Sequence, residues 1–260
     1  MMTVPDIVSK QVYSTYEHKL DKAVRSGPIP QHIGIIMDGN RRYAKEFLDS
    51  DIDEGHRLGE KKIESVMDWC LDLGVKYVTL YAFSSENFKR DREEVDFLMD
   101  LAESSFLEMA DNPKIHKNRV AIRAIGKLEA LPENVCKAIN YAYEKTKDYS
   151  DFTISICLAY GGRQEIVEAV KEIAAKIESG NMSVDEITES VISSHLYTGD
   201  MPDPDLILRT SGEIRVSNFL LWQLAYSELY FTDIYWPGFR RIDLLRAIRS
   251  YQQRKRRYGE

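Results

Sequence analysis

The chain has 260 residues, 43% of them hydrophobic and 10% aromatic, enough for one large domain with a substantial core and too apolar for a disordered chain. Its formal net charge of −7 argues against a general nucleic-acid binder, so an anionic ligand would have to be held by local arginine clusters. Three widely spaced cysteines (Cys70, Cys136, Cys157) give neither zinc spacing nor a disulfide framework, and no signal-peptide pattern or membrane-length apolar run occurs; the expectation is a cytoplasmic protein.

From Asp6 to Arg25, the residues Ile7, Val8, Val12, Leu20 and Val24 form a loose amphipathic pattern, so residues 1–27 read as an N-terminal helix packed on the body. Gly27-Pro28-Ile29-Pro30 stops it. The apolar run Ile33 to Met37 then ends abruptly in Asp38-Gly39-Asn40, which reads as a buried strand closed by a turn. Gly39 permits a positive φ or close ligand approach, and Asn40 is a good helix cap. Arg41 and Arg42 add guanidinium forks suited to phosphate oxygens. After a helical stretch to about Leu48, Asp49 to Gly55 imitates a calcium loop. Its sixth position is Glu54, where the sharp turn needs glycine, so it reads as an acidic loop.

A helix with Ile63, Val66, Met67 and Cys70 on its apolar face follows His56 and ends at Gly74. Further strands are expected at 76–83, 119–125, 152–159, 205–208 and around 229–231. Helices are expected at 91–110, after Pro132, from 162 to about 177, briefly from Val184, and from Arg241 onward. This alternation predicts a single α/β domain with a mainly parallel, six-stranded sheet covered by helices on both faces.

Parallel strands put their carboxyl ends on one rim, where such sheets bind ligands. The segments 38–42, 84–90, 160–163 and 209–215 gather Arg41, Arg42, Arg90, Arg163, Arg209 and Arg215 there. Several arginines facing one or two diphosphates, beside one carboxylate able to hold a metal-bound phosphate, is the simplest reading. Ile36 stands where a strand-Asp phosphohydrolase would carry its nucleophile, and phosphate-loop and dinucleotide fingerprints are absent.

Residues 32–44 resemble the opening motif of the cis-prenyltransferases, the undecaprenyl diphosphate synthase family. Gly55-His56, the segments 80–88 and 159–163, and 205 through 230 match later motifs in order, so the resemblance spans residues 28–260, read as the catalytic domain. It implies condensation of isopentenyl diphosphate onto an allylic diphosphate primer to give a Z-polyprenyl diphosphate, with Mg²⁺ required. It also implies a hydrophobic product tunnel beside residues 91–110, where each added five-carbon unit is worth about 3–4 kcal/mol if fully desolvated.

By that resemblance Asp38 and Asn87 are catalytic, and Asp38 and Glu228 hold the metal. Gly39, Asn40, Arg41, Arg42, His56 and Arg90 bind the allylic diphosphate. Tyr43, Ser84, Phe88, Arg209, Arg215 and Ser217 complete substrate binding, the last three as the isopentenyl diphosphate clamp. The proton acceptor stays open among His56, Ser84, Asn87 and Arg90. Arg41, Tyr43, Phe88 and Ile214 depart from common family residues without removing an essential group. The resemblance further implies a homodimer, with Phe219 to Phe231 and the Arg257-Tyr258-Gly259 tail on its dimer side, and transient peripheral membrane contact for a lipid product. A non-catalytic diphosphate-binding partner subunit is the rival reading; the presence of Asp38, Asn87, Arg209, Arg215 and Glu228 favours an enzyme.

Overall fold

A computed structural model describes residues 4–254, with side chains from Thr15 onward. In chain order the elements are α1 (Val4–Arg25), β1 (His32–Ile36), α2 (Asn40–Tyr43), α3 (Ile52–Leu73), β2 (Tyr77–Tyr81), α4 (Arg92–Asp111), α5 (Pro113–Lys117), β3 (Val120–Ile125), α6 (Glu133–Thr146), β4 (Phe152–Cys157), α7 (Gly162–Glu178), α8 (Glu189–Ser194), β5 (Leu206–Arg209), β6 (Glu228–Phe231) and α9 (Arg241–Gln253). The strands form one sheet in the order β3-β4-β2-β1-β5-β6, every neighbouring pair parallel.

All five residues of β1 are buried, as a central strand of a doubly covered sheet requires. Side chains alternate between two cores. Ile33, Ile35, Val78, Leu80, Ile154, Ile156, Leu206 and Leu208 join one face with Leu20 and Val24 of α1 and the apolar sides of α3, α4, α6 and α9. Ile36, Tyr81, Ile125, Cys157 and Ile207 join the other with Tyr160, Phe219 and Leu220. Phe219 and Leu220 are therefore fully buried within the chain, while Tyr226 of the same motif is exposed. Residues 257–259 lie outside the described residues, as do the side chains of Ile7, Val8 and Val12. Among the described residues, no helix is long and apolar enough to cross a membrane.

Two expectations need local correction. The acidic stretch is helical from Ile52: Asp51 accepts the Ile52 N–H at 2.8 Å, and Asp53 and Glu54 sit in the first turn, where acids complement the helix dipole. β2 stops at Tyr81 and β4 at Cys157, each two residues early, because the N–H groups of Ala82 and Phe83 both turn onto the Cys157 carbonyl where the two strands part.

β1 leads through α3 to β2 on one side, whereas β5, on its other side, leads outward to β6. The order of the chain reverses between β1 and β5, which opens a crevice at their carboxyl ends. Asp38 follows β1 and Arg209 ends β5, so both stand at that crevice.

Candidate active site

The backbone of Asp38 is held before its side chain does anything. The Thr210 hydroxyl accepts the Asp38 N–H at 2.9 Å and donates to the Asp38 carbonyl at 2.6 Å, and the Trp236 N–H donates to the same carbonyl at 3.0 Å. Gly39 then takes φ 105°, the left-handed region, with Tyr235 and Ser211 so close that a Cβ would meet Tyr235 Cδ1 at 2.7 Å.

The carboxylate is clamped by two arginines. Arg209 Nη2 donates to Oδ2 at 2.7 Å, and Arg42 Nη2 to Oδ1 at 3.3 Å. Burial alone would raise the Asp38 pKa. Hydrogen bonds from Arg209 and Ser211, with the charges of Arg209 and Arg42, outweigh burial and hold it below the usual carboxylate value. Asp38 is thus ionised at neutral pH, yet its side chain remains 29% exposed and open to a ligand.

Arg209 is far more enclosed, its side chain 5% exposed. Its Nη1 donates to the Arg215 carbonyl at 2.5 Å and to the Ser217 hydroxyl at 2.8 Å, while Nε has no partner. Arg42 also donates to the Ser211 hydroxyl at 2.7 Å and to Glu213 at 3.2 Å, with Tyr235 under its guanidinium. Arg215 meets Glu213 at 2.6 Å. In the loop after β5, Ser211, Ser217, Asn218 and Leu220 all take positive φ without being glycine, a concentration of backbone strain typical of functional loops.

Below this polar ring lies a cavity of about 890 Å³ on the α3–α4 face of the sheet. Asp38, Gly39, Asn40, Arg41, Arg42, His56 and Arg90 line its mouth. Ile63, Met67, Leu98, Ala102, Phe106, Met109, Ile115 and Ile156 line its depth, beside residues 91–110 where a tunnel is expected, together with the polar side chains of Glu60, Glu64, Ser105 and Glu108. α2 packs directly onto α3 because Gly55 and Gly59 carry no side chain; a Cβ on Gly55 would lie 2.3 Å from the Asn40 carbonyl. The helix cap here is Gly39, not Asn40. The Asn40 side chain is turned against Gly59, its Oδ1 buried without a partner.

Not every expected residue reaches the cavity. Ser84 and Asn87 cap the short helical turn 85–89 reciprocally, the Asn87 Oδ1 accepting the Ser84 N–H at 3.0 Å. Phe88 packs edge-on against Phe83, and Tyr43 packs against Phe47. Arg163 is turned away: only its backbone N–H joins the rim, donating to Asn218 Oδ1 at 2.9 Å, and its side chain lines a separate hollow beside Lys127 and Tyr197.

Glu228 is a larger correction. It opens β6, paired with Leu206, at the opposite end of the strands from Asp38, and its carboxylate meets Arg254 at 2.7 Å. Within one chain it cannot share an ion with Asp38. No group of three or more His, Cys, Asp or Glu side chains able to hold a metal exists among the described residues. An ionised, partly open Asp38 suits a hard divalent cation whose other ligands are phosphate oxygens and water.

Glu94 escaped the sequence reading. Its carboxylate takes Arg90 at 2.9 Å and His56 at 3.2 Å, with Arg41 at 3.8 Å. The four-residue spacing from Arg90 was the available signal, and it looks like any surface helix pair. Burial lowers the His56 pKa more than Glu94 restores it, so the imidazole is neutral at pH 7 and donates through Nε2–H.

The family model for prenyltransferases of the undecaprenyl diphosphate synthase type matches residues 36–259. This chain belongs to the undecaprenyl diphosphate synthase family. Family members from Methanopyrus kandleri and Methanocaldococcus jannaschii, both named tritrans,polycis-undecaprenyl-diphosphate synthase (geranylgeranyl-diphosphate specific), are each 54% identical to it. The first aligns over 96% of this chain and 92% of its own length, the second over 96% and 89%. Among solved family structures, lavandulyl diphosphate synthase from Lavandula x intermedia, in complex with dimethylallyl diphosphate, superposes with a TM-score of 0.83 at 39% identity. It covers 89% of this chain and 99% of that one. The structure of a probable undecaprenyl diphosphate synthase from Campylobacter jejuni gives 0.73 at 32%, covering 90% of this chain and 100% of that one. Membership makes this protein a prenyltransferase with a six-stranded parallel α/β fold.

Proposed function

We propose that this prenyltransferase is a Mg²⁺-dependent homodimer that extends an allylic diphosphate primer with isopentenyl diphosphate in the Z configuration. The product would be a polyprenyl diphosphate serving as a lipid carrier precursor. The observation that carries the reading is the polarity of one cavity: an arginine-ringed carboxylate at the mouth and, behind it, a shaft lined mainly by apolar side chains. A diphosphate head with a hydrocarbon tail matches both ends. The names of the archaeal relatives favour geranylgeranyl diphosphate as primer.

In this reading residues 28–260 carry the activity and residues 1–27 form an accessory helix. Arg41, Arg42, His56, Arg90 and the Gly39-Asn40 backbone hold the allylic diphosphate. Arg209, Arg215 and Ser217 hold isopentenyl diphosphate. Asp38, oriented by Thr210 and Arg209, would carry the cation; bound Mg²⁺ would offset charge on the departing diphosphate. Ser84, Asn87 and Phe88 would join only if the 84–90 segment closes over substrate, and Tyr43 would contribute from the end of α2. Glu228, remote from Asp38 within one chain, would act on the partner's site. The enzyme would be cytoplasmic, touching the membrane peripherally to release product.

The test incubates the purified protein with labelled isopentenyl diphosphate and each allylic primer, with Mg²⁺ or EDTA, and sizes products by mass spectrometry. A Mg²⁺-dependent ladder from geranylgeranyl diphosphate ending in one dominant chain is expected. Tight diphosphate binding with no condensation from any primer would overturn the reading and point to a partner subunit.

A further inference from the structure

Across the mouth from Asp38, three groups arrive from three separate elements: Arg41 from α2, His56 from α3, and Arg90 from the turn before α4. All three line the cavity, and Glu94 does not. Glu94 stands behind them on the first turns of α4, its side chain 9% exposed, with Oε1 accepting from both Arg90 and His56 and Oε2 facing Arg41. Two guanidinium groups on flexible stems would repel one another and sample many rotamers without a shared counter-charge. The Nε2–H bond to Glu94 also fixes the His56 tautomer, leaving Nδ1 as the free ring nitrogen.

Glu213 offers the contrast. It too bridges two arginines, Arg42 and Arg215, but its side chain is 30% exposed, so solvent or a ligand can reach it. Glu94 is walled in, so a ligand cannot take its place.

We propose that Glu94 is a positioning residue for the allylic half of the mouth: from behind the cavity wall it holds Arg41, Arg90 and His56 in the one arrangement that receives a diphosphate. The proposal rests on the prenyltransferase reading above and adds to it a residue that touches no substrate.

The test compares full-length wild type with Glu94→Gln, which keeps the shape and loses the charge, and Glu94→Asp, which keeps the charge and draws it back by one methylene. With geranylgeranyl diphosphate, isopentenyl diphosphate and Mg²⁺, Glu94→Gln should raise the KM for the primer roughly 10- to 100-fold, the range for lost hydrogen bonds to charged groups. The KM for isopentenyl diphosphate and the unfolding midpoint should stay unchanged, and Glu94→Asp should recover part of the loss. Both KM values rising together with a lowered midpoint in both variants would reduce Glu94 to a structural role and overturn the proposal, as would two unchanged KM values. Nitrogen NMR of His56 adds a signature: the Nε2–H tautomer should dominate in wild type and lose that dominance in Glu94→Gln. The groups facing this ring are Glu94 and the Phe97 ring on α4, Arg90 just before it, and Asp53 on its own helix. Binding of inorganic pyrophosphate by calorimetry separates the two readings. Weaker binding by Glu94→Gln supports the positioning role even if wild type condenses no primer, and equal binding overturns it even if wild type is an active synthase.

Discussion

At the mouth of the cavity, Asp38, Arg42 and Arg209 meet within 2.7–3.3 Å, both carboxylate oxygens of Asp38 taken by a guanidinium. Further in, between α3 and α4, Ile63, Met67, Leu98, Ala102 and Phe106 give the wall a mainly apolar, non-directional surface, with Glu60 and Ser105 among its few polar groups. The two regions do different work. Directional charge at the mouth decides whether a bond forms, because only groups held in place stabilise developing charge. In the proposed reading, non-directional apolar volume in the shaft sets how long a chain is accommodated, because burial free energy follows area. Rate and product length should therefore be separable by mutation.

The largest effect expected is on rate. Asp38→Asn should lower turnover about 10³-fold while any residual product keeps its length. Asparagine is a cleaner probe than alanine, since it removes the charge but keeps an oxygen acceptor for the enclosed Arg209 guanidinium, which alanine would take away as well. Near-wild-type initial rates in Asp38→Asn would break the division at its mouth end. In the shaft, Ala102→Phe should shorten the dominant product by at least one five-carbon unit, each worth about 3–4 kcal/mol of burial, without slowing the first condensation. Mass spectrometry of products beside single-turnover kinetics decides this; an unchanged length would mean that Ala102 does not bound the chain.

Acid should weaken the frame. His32 is fully buried at the other end of β1, its Nδ1 on the Pro202 carbonyl at 2.6 Å and its Nε2 on the Thr79 hydroxyl at 2.8 Å. Burial lowers its pKa from 6.5 to about 4. The unfolded chain binds a proton that folded His32 refuses, so stability falls as pH drops across that window and levels off below it. The loss is on the order of 3 kcal/mol, and His56 adds to it in the same direction. Denaturant unfolding from pH 7 to 4 measures it, and a flat profile, or one unchanged in His32→Gln, would refute it. The smallest effect is Arg42→Lys: one ammonium cannot span Asp38, Ser211 and Glu213 together, so the KM for the primer should rise about tenfold with chain length untouched.

Much of this molecule could be read along the chain. Alternating apolar residues and turn signals located the strands to within a residue or two, because strand and helix periods are local properties. Asp38 at a strand end, the arginines of the rim and the apolar side of α4 were legible for the same reason. Tertiary structure decided which of these groups meet. Asp38 and Arg209 are far apart in sequence and touch only because β1 and β5 are neighbours at the reversal of strand order. The same geometry sends Glu228 to the opposite end of the sheet, turns the Arg163 side chain out of the rim, and leaves Ser84 and Asn87 capping each other. Glu94 looked like an ordinary helix acid until α2 and α3 brought Arg41 and His56 against it. A residue's own type and its near neighbours establish what it can do chemically; what it does is settled by partners that only the folded chain brings within hydrogen-bonding distance.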